Sequence, residues 1–215
     1  MFIKQVYRCP YCNVKTSNAI CCSSCADDLK QFVNNKTGKT PYCDEFSAPL
    51  VYDDIVRDAI TRFKFNDCPD YHEGFAQLML SCNLFDADII ISVPSFKKNK
   101  KYNTSALLAK CISKQIGIDY EPRAVKKIRE TKFQHQCDFK QRLTNLNDSF
   151  AAKPRKVSGK NILICDDIIT SGSTIDEIAK ACKHARANKV YAIAIAISNV
   201  AFNYENNRNN FKDEQ

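Results

Sequence analysis

The sequence predicts an α/β protein, a mainly parallel sheet flanked by helices, with a small metal-stapled module at its N-terminal end. Three observations predict it. From about residue 46 onward, short β-branched runs alternate with amphipathic helical segments, the pattern of right-handed βαβ units. Six of the twelve cysteines fall within the first 43 residues, a stretch with little apolar periodicity of its own. A hydrophobic content of 44% with 26% charged residues describes an ordinary globular chain able to bury a core.

The elements follow in order. CPYC (9–12) and CSSC (22–25) are two C-x-x-C pairs about ten residues apart, spacing that suits four thiolates around a tetrahedral Zn²⁺. The expected ligands are Cys9, Cys12, Cys22 and Cys25, with Cys21 and Cys43 as competitors; such a closed site is structural. NNKTGKTP (34–41) reads as a linker, which divides the chain into a zinc module (1–43), a main domain (46–200) and a polar tail (201–215). VYDDIVRDAITRFKF (51–65) places Ile55, Ala59, Ile60 and Phe63 on one helix face, and GFAQLMLSCNLF (74–85) is a second apolar helix. ADIIISVP (87–94) is a buried strand closed by proline. Residues 103–117 form a helix capped by Asn103 or Thr104 and stopped near Gly117. A strand over 161–167, a helix over 173–189 and a strand over 190–197 complete the pattern.

The net charge of +8 favours anionic partners, and KKNKK (97–101), KKIRETK (126–132) and KPRK (153–156) concentrate it. MFIKQVYRCPYC lacks the apolar core of a signal peptide and no long apolar run follows, so a cytoplasmic protein without a membrane span is expected. The three histidines suggest no general base.

ILICDDIITSGST (162–174) carries the chemistry. A buried strand ends on two adjacent carboxylates, Asp166 and Asp167, and a loop of small hydroxylated residues leads into a helix. In open α/β sheets, ligands bind at this carboxyl end. Thr170, Ser171, Gly172, Ser173 and Thr174 pack N–H groups and hydroxyls at a helix N-terminus, which makes a phosphate cradle. It is not a Walker A loop, because no Gly-Lys-Ser/Thr is present. Two acids before a phosphate cradle suit vicinal ribose hydroxyls and Mg²⁺, so the stretch asks for a ribose 5-phosphate.

The stretch resembles the phosphoribosyl-pyrophosphate (PRPP) signature of type I phosphoribosyltransferases, and the resemblance implies that fold, with PRPP and Mg²⁺ as ligands. Enzymes for 6-oxopurines have an aspartate where this chain has Thr170, so that subclass is not expected. Over nearly the full length the chain is similar to the ComF family, which has an N-terminal Cys₄ zinc module, a lysine matched by Lys64 in RFKF, and a strand ending in Val-Pro. SVPSFKKNKKYNTSALLAK supplies that stretch, with Lys100 and Lys101 where the family has Arg-Gly. The resemblance implies pyrophosphate binding near Pro94, Ser95, Lys97, Lys100, Lys101 and Asn103. IRETKFQ and RLTNLNDSF match the family's next motifs through Arg129, Thr131, Gln134, Arg142 and Asn145, which implies a hood over PRPP, with Arg129 steadying the departing pyrophosphate.

Membership of this family would imply a role in natural transformation, handling imported single-stranded DNA together with other DNA-uptake proteins. Two other readings stand beside it: a nucleic-acid-binding adapter whose PRPP site is regulatory or inactive, and a transferase for a pyrimidine-like base.

Overall fold

The computed structural model describes residues 6–82, 85–95, 101–129 and 148–198. In chain order the elements begin with β1 (Tyr7–Arg8), β2 (Lys15–Thr16), α1 (Ser23–Lys30), β3 (Val33–Gly38), β4 (Glu45–Val51), α2 (Asp54–Phe65), α3 (Tyr71–Leu80) and β5 (Ile89–Ser92). They continue with α4 (Thr104–Ile116), β6 (Asp119–Tyr120), β7 (Val125–Lys127), β8 (Phe150–Ala152), α5 (Pro154–Val157), β9 (Ile162–Cys165), β10 (Ile168–Ile169), α6 (Ser173–His184), β11 (Val190–Ile193) and β12 (Ala196–Ile197).

β9 and β10 are two parts of one interrupted strand, as are β11 and β12. β9 pairs with β11 and β10 with β12, all parallel. β5 lies on the other side of β9, and β6 pairs with β5. β4 flanks β11 and β12, also parallel, while β3 runs antiparallel along its outer edge. The predicted mainly parallel sheet is thus observed.

Side chains alternate between two cores, as the period of a strand requires. Leu163, Cys165, Ile90 and Ile193 face a core shared with α2, α3, α4 and the cysteine module. Ile162, Ile164, Ile89, Ile91 and Ala192 face a second core closed by α6 and the antiparallel β7–β8 ribbon. On α6 the buried residues Ile175, Ile178, Ala179 and Cys182 recur at helical spacing, as read from the sequence.

Three stretches differ from the sequence reading. The segment expected as a linker overlaps β3, which begins one residue earlier at Val33 and pairs with β4. The helix expected from residue 51 starts at Asp54, because Val51 closes β4 and pairs with Ile197. β4 itself, EFSAPLV, holds Pro49 inside a buried strand. The proline is tolerated because β11 pairs with residues 45–47 and β12 with 50–51, which leaves Pro49 between the two ladders.

Among the described residues no helix is long and apolar enough to cross a membrane.

Candidate functional site: an acid pair and a polar turn around one cleft

β9 ends at Cys165 and the ladder is carried across the acids by backbone alone: Asp166 donates to Ile193 O (3.0 Å) and Ile195 donates to Asp167 O (3.2 Å). Both carboxyls then meet the start of α4. Thr104 Oγ1 donates to Asp167 Oδ2 at 2.5 Å, and Ser105 Oγ donates to Asp166 Oδ1 at 2.8 Å. Asn103 holds that helix end in place, accepting from Ala106 N and donating through Nδ2 to Val93 O, both at 3.1 Å. The N-cap expected at Asn103 or Thr104 is therefore Asn103, and it ties α4 to the end of β5.

Lys64, from the last turn of α2, forms an ion pair with Asp167 Oδ1 at 2.7 Å. Burial opposes its charge most strongly, but the Asp167 carboxylate together with Asp166 and Tyr52 holds the ammonium above its usual range. Asp166 moves the other way. Burial first, then the neighbouring Asp167 charge, push its carboxyl up to about 7, against the pull of Lys64 and Ser105.

Tyr52, Lys64, Asp166, Asp167, Thr170, Gly172 and Thr174 line a cleft of about 360 Å³. Gly172 caps α6 with φ of +74°, in the left-handed region that favours glycine, and a Cβ there would come within 3.3 Å of Thr40 Cγ2. Ser171 and Ser173 are buried, do not line the cleft, and bond to each other through their hydroxyls at 2.7 Å. The turn is braced from below by Asp176, which accepts from Thr40 Oγ1 (2.5 Å) and Tyr42 N (2.9 Å). The acids and three residues of the turn, Thr170, Gly172 and Thr174, thus border one cavity, while the Ser171 and Ser173 side chains turn away from it.

The remaining expected residues scatter. Pro94 and Ser95 follow β5, half-buried and exposed respectively, and Lys101 is exposed and ion-paired with Asp67. Arg129 is exposed just past β7 and does not line the cleft. Lys97, Lys100, Thr131, Gln134, Arg142 and Asn145 lie outside the described residues. Asp148, the first residue after that gap, is tied to α6: its N–H donates to Glu177 Oε2 and its carboxylate accepts from Lys180, both at 3.0 Å. The sequence pointed to no place in the site for Tyr52 or Ser105, and to Thr104 only as a candidate helix cap. Lys64 was visible only as a family match.

At the other end of the chain, the Sγ atoms of Cys9, Cys12, Cys22 and Cys25 all lie within 4.8 Å of one another. A tetrahedral ion with metal–sulfur bonds of about 2.3 Å needs sulfurs roughly 3.8 Å apart, so this donor set can close around one metal ion. Cys21 is buried beside the group but not part of it, and Cys43 sits in the other core near Val190. The module is seated on the main fold. Arg62 donates to Tyr11 O at 2.6 Å, Tyr71 donates to Asn13 Oδ1 at 3.0 Å, and a Cβ on Gly74 would meet Ala19 O at 1.9 Å.

A phosphoribosyl transferase domain model matches residues 103–211, half of the chain. The chain belongs to the phosphoribosyl transferase domain family. It is 24% identical to Competence protein F of Haemophilus influenzae over 87% of this chain and 89% of that protein. It is 24% identical to the DNA utilization protein YhgH of Salmonella typhimurium over 82% of this chain and 78% of that one. It is also 34% identical to the YhgH protein of Shigella flexneri, over 43% of this chain and 42% of that relative, so this chain spans less than half the length of that match. These matches make it a ComF-like phosphoribosyltransferase-domain protein, in agreement with the motifs. Among solved structures, the adenine phosphoribosyltransferase of Thermoanaerobacter pseudethanolicus aligns with 80% of this chain and 98% of its own at 14% identity and a TM-score of 0.38.

Proposed function

We propose that the cleft binds Mg²⁺–PRPP, with the 5-phosphate on residues 170–174, the ribose hydroxyls toward the Asp166–Asp167 pair, and pyrophosphate toward Pro94, Ser95 and Asn103. One observation carries the reading: paired carboxylates and a helix-capping turn of small polar residues share a single cavity at the carboxyl end of a parallel sheet. Carboxylate oxygens are hard donors of the kind Mg²⁺ takes. Mg²⁺ arriving with PRPP supplies charge neutralisation on the pyrophosphate. The chain's own residues orient: the 170–174 turn fixes one end of the sugar phosphate, and Asp166 accepts from a ribose hydroxyl.

The same proposal assigns Zn²⁺ to the four cysteines, a structural metal in an N-terminal module that precedes the transferase-like domain. On this reading the protein works in the cytoplasm and handles imported DNA; the names of its relatives, competence and DNA utilization, support the link to DNA. The net charge of +8 favours a second, compatible reading as a single-strand-binding adapter.

Calorimetry with PRPP and Mg²⁺ tests the site. Binding by the wild type and its loss in the Asp166→Asn/Asp167→Asn double variant are expected; a folded wild type that takes no PRPP sinks the reading. Pyrophosphate release with and without single-stranded DNA then separates transferase from adapter, and an adapter without salt-dependent DNA affinity fails in turn.

A further inference from the structure

The two acids are not equivalent. Both oxygens of Asp167 are engaged, Oδ1 by the Lys64 ammonium at 2.7 Å and Oδ2 by Thr104 Oγ1 at 2.5 Å, and its side chain is 10% exposed. Asp166 receives both of its hydrogen bonds, from Ser105 Oγ and from Asp167 N, on Oδ1 alone. Neither of those bonds uses its Oδ2, and Asp166 lines the cleft beside Asp167.

We propose that Lys64 is a built-in counter-cation that keeps Asp167 out of ligand binding, so that Asp166 alone presents a carboxylate to the incoming sugar and cation. This rests on the reading of the cleft as a PRPP site and sharpens it: the pair is one ligand plus one internally neutralised acid. Two neighbouring carboxylates without a resident ammonium repel each other, and that repulsion is relieved by taking up a proton or a divalent cation. Lys64 reaches the acid from the last turn of α2, an element outside the signature stretch. Its half-buried ammonium takes the place that a metal ion would otherwise compete for. Asp167 is then a positioning residue, fixing Lys64 and the start of α4, while Asp166 touches ligand.

Mn²⁺ is the probe, titrated by electron paramagnetic resonance into the ligand-free protein. Lys64→Met is expected to bind Mn²⁺ about tenfold more tightly than the wild type or more, because two neighbouring carboxylates are left without their cation. Lys64→Arg, which keeps the charge, should stay at the wild-type affinity, and Lys64→Met/Asp167→Asn should return to it. A Lys64→Met protein that is folded by circular dichroism yet gains no Mn²⁺ affinity overturns the proposal. If Lys64→Met does not fold, PRPP calorimetry on the single acid variants decides: Asp166→Asn should weaken binding by at least about thirtyfold and Asp167→Asn by less than about threefold. Equal losses overturn it. A wild type that binds no PRPP would end the PRPP reading alone, since the Mn²⁺ comparison stands without it.

Discussion

Asp166 makes the ligand-free protein sensitive to pH in a defined direction. Its folded carboxyl titrates at about 7, well above the usual ~3.9 of an aspartate in an unfolded chain. Between those values the folded state binds more protons at this group than the unfolded state, so the stability that Asp166 contributes is greatest below about pH 4 and is lost as pH rises through 7. Thermal melts of the wild type and Asp166→Asn in magnesium-free buffer should therefore diverge with rising pH, the variant losing less stability across that window. Parallel curves would remove burial and the Asp167 charge as a cause. The acids themselves were legible because two carboxylates ending a buried strand ask for a partner. Their difference was not legible, because Lys64, Thr104 and Ser105 reach them from 103, 63 and 61 positions away in a chain whose folding alone brings them together.

Helices 54–65 and 173–184 repeat their apolar residues at a 3.6-residue period, and helix 104–116 lies between an Asn cap and a glycine stop; they were visible for those reasons. β3 was not: VNNKTG is polar, and only its ladder to β4 makes it a strand. β4 was hidden by Pro49, whose usual exclusion from strands fails where two ladders change over. Two glycines at element boundaries yield predictions. Gly172→Ala would place a side chain in the left-handed region, against Thr40, at a cost of about 1 kcal/mol, and should weaken PRPP binding more than it lowers the melting temperature. Gly74→Ala drives a methyl group into the Ala19 carbonyl, and about 1–3 kcal/mol of destabilisation in denaturant melts is expected. An unchanged midpoint for Gly74→Ala would mean that the module does not sit on α3 as closely as the 1.9 Å approach requires.

The cysteine module and the sheet share one core: Cys9, Tyr11 and Leu29 pack in the same cluster as Phe63, Phe75 and Leu163. Metal in the module should then stabilise the whole molecule. Cobalt substitution should give strong thiolate-to-metal absorption in the wild type and in Cys21→Ser, with the band lost or diminished in Cys22→Ser. Chelation should lower a single cooperative melting transition of the chain, given that structural zinc contributes on the order of 10 kcal/mol or more to small modules. Two separate transitions would show that the shared core does not couple the parts.

The amino-acid sequence by itself determined the α/β pattern, the expected thiolate set with Cys21 and Cys43 left as competitors, and the acid–hydroxyl stretch beside the cleft, because each is written in local spacing. Only the tertiary structure decided that Cys22 and not Cys21 joins the cluster, that β3 belongs to the sheet, and that Ser171 and Ser173 turn inward. It also decided that Lys64 already neutralises one of the two acids. Those outcomes depend on which distant groups come within hydrogen-bonding or ion-pairing reach, a property of the packed chain that no local spacing encodes.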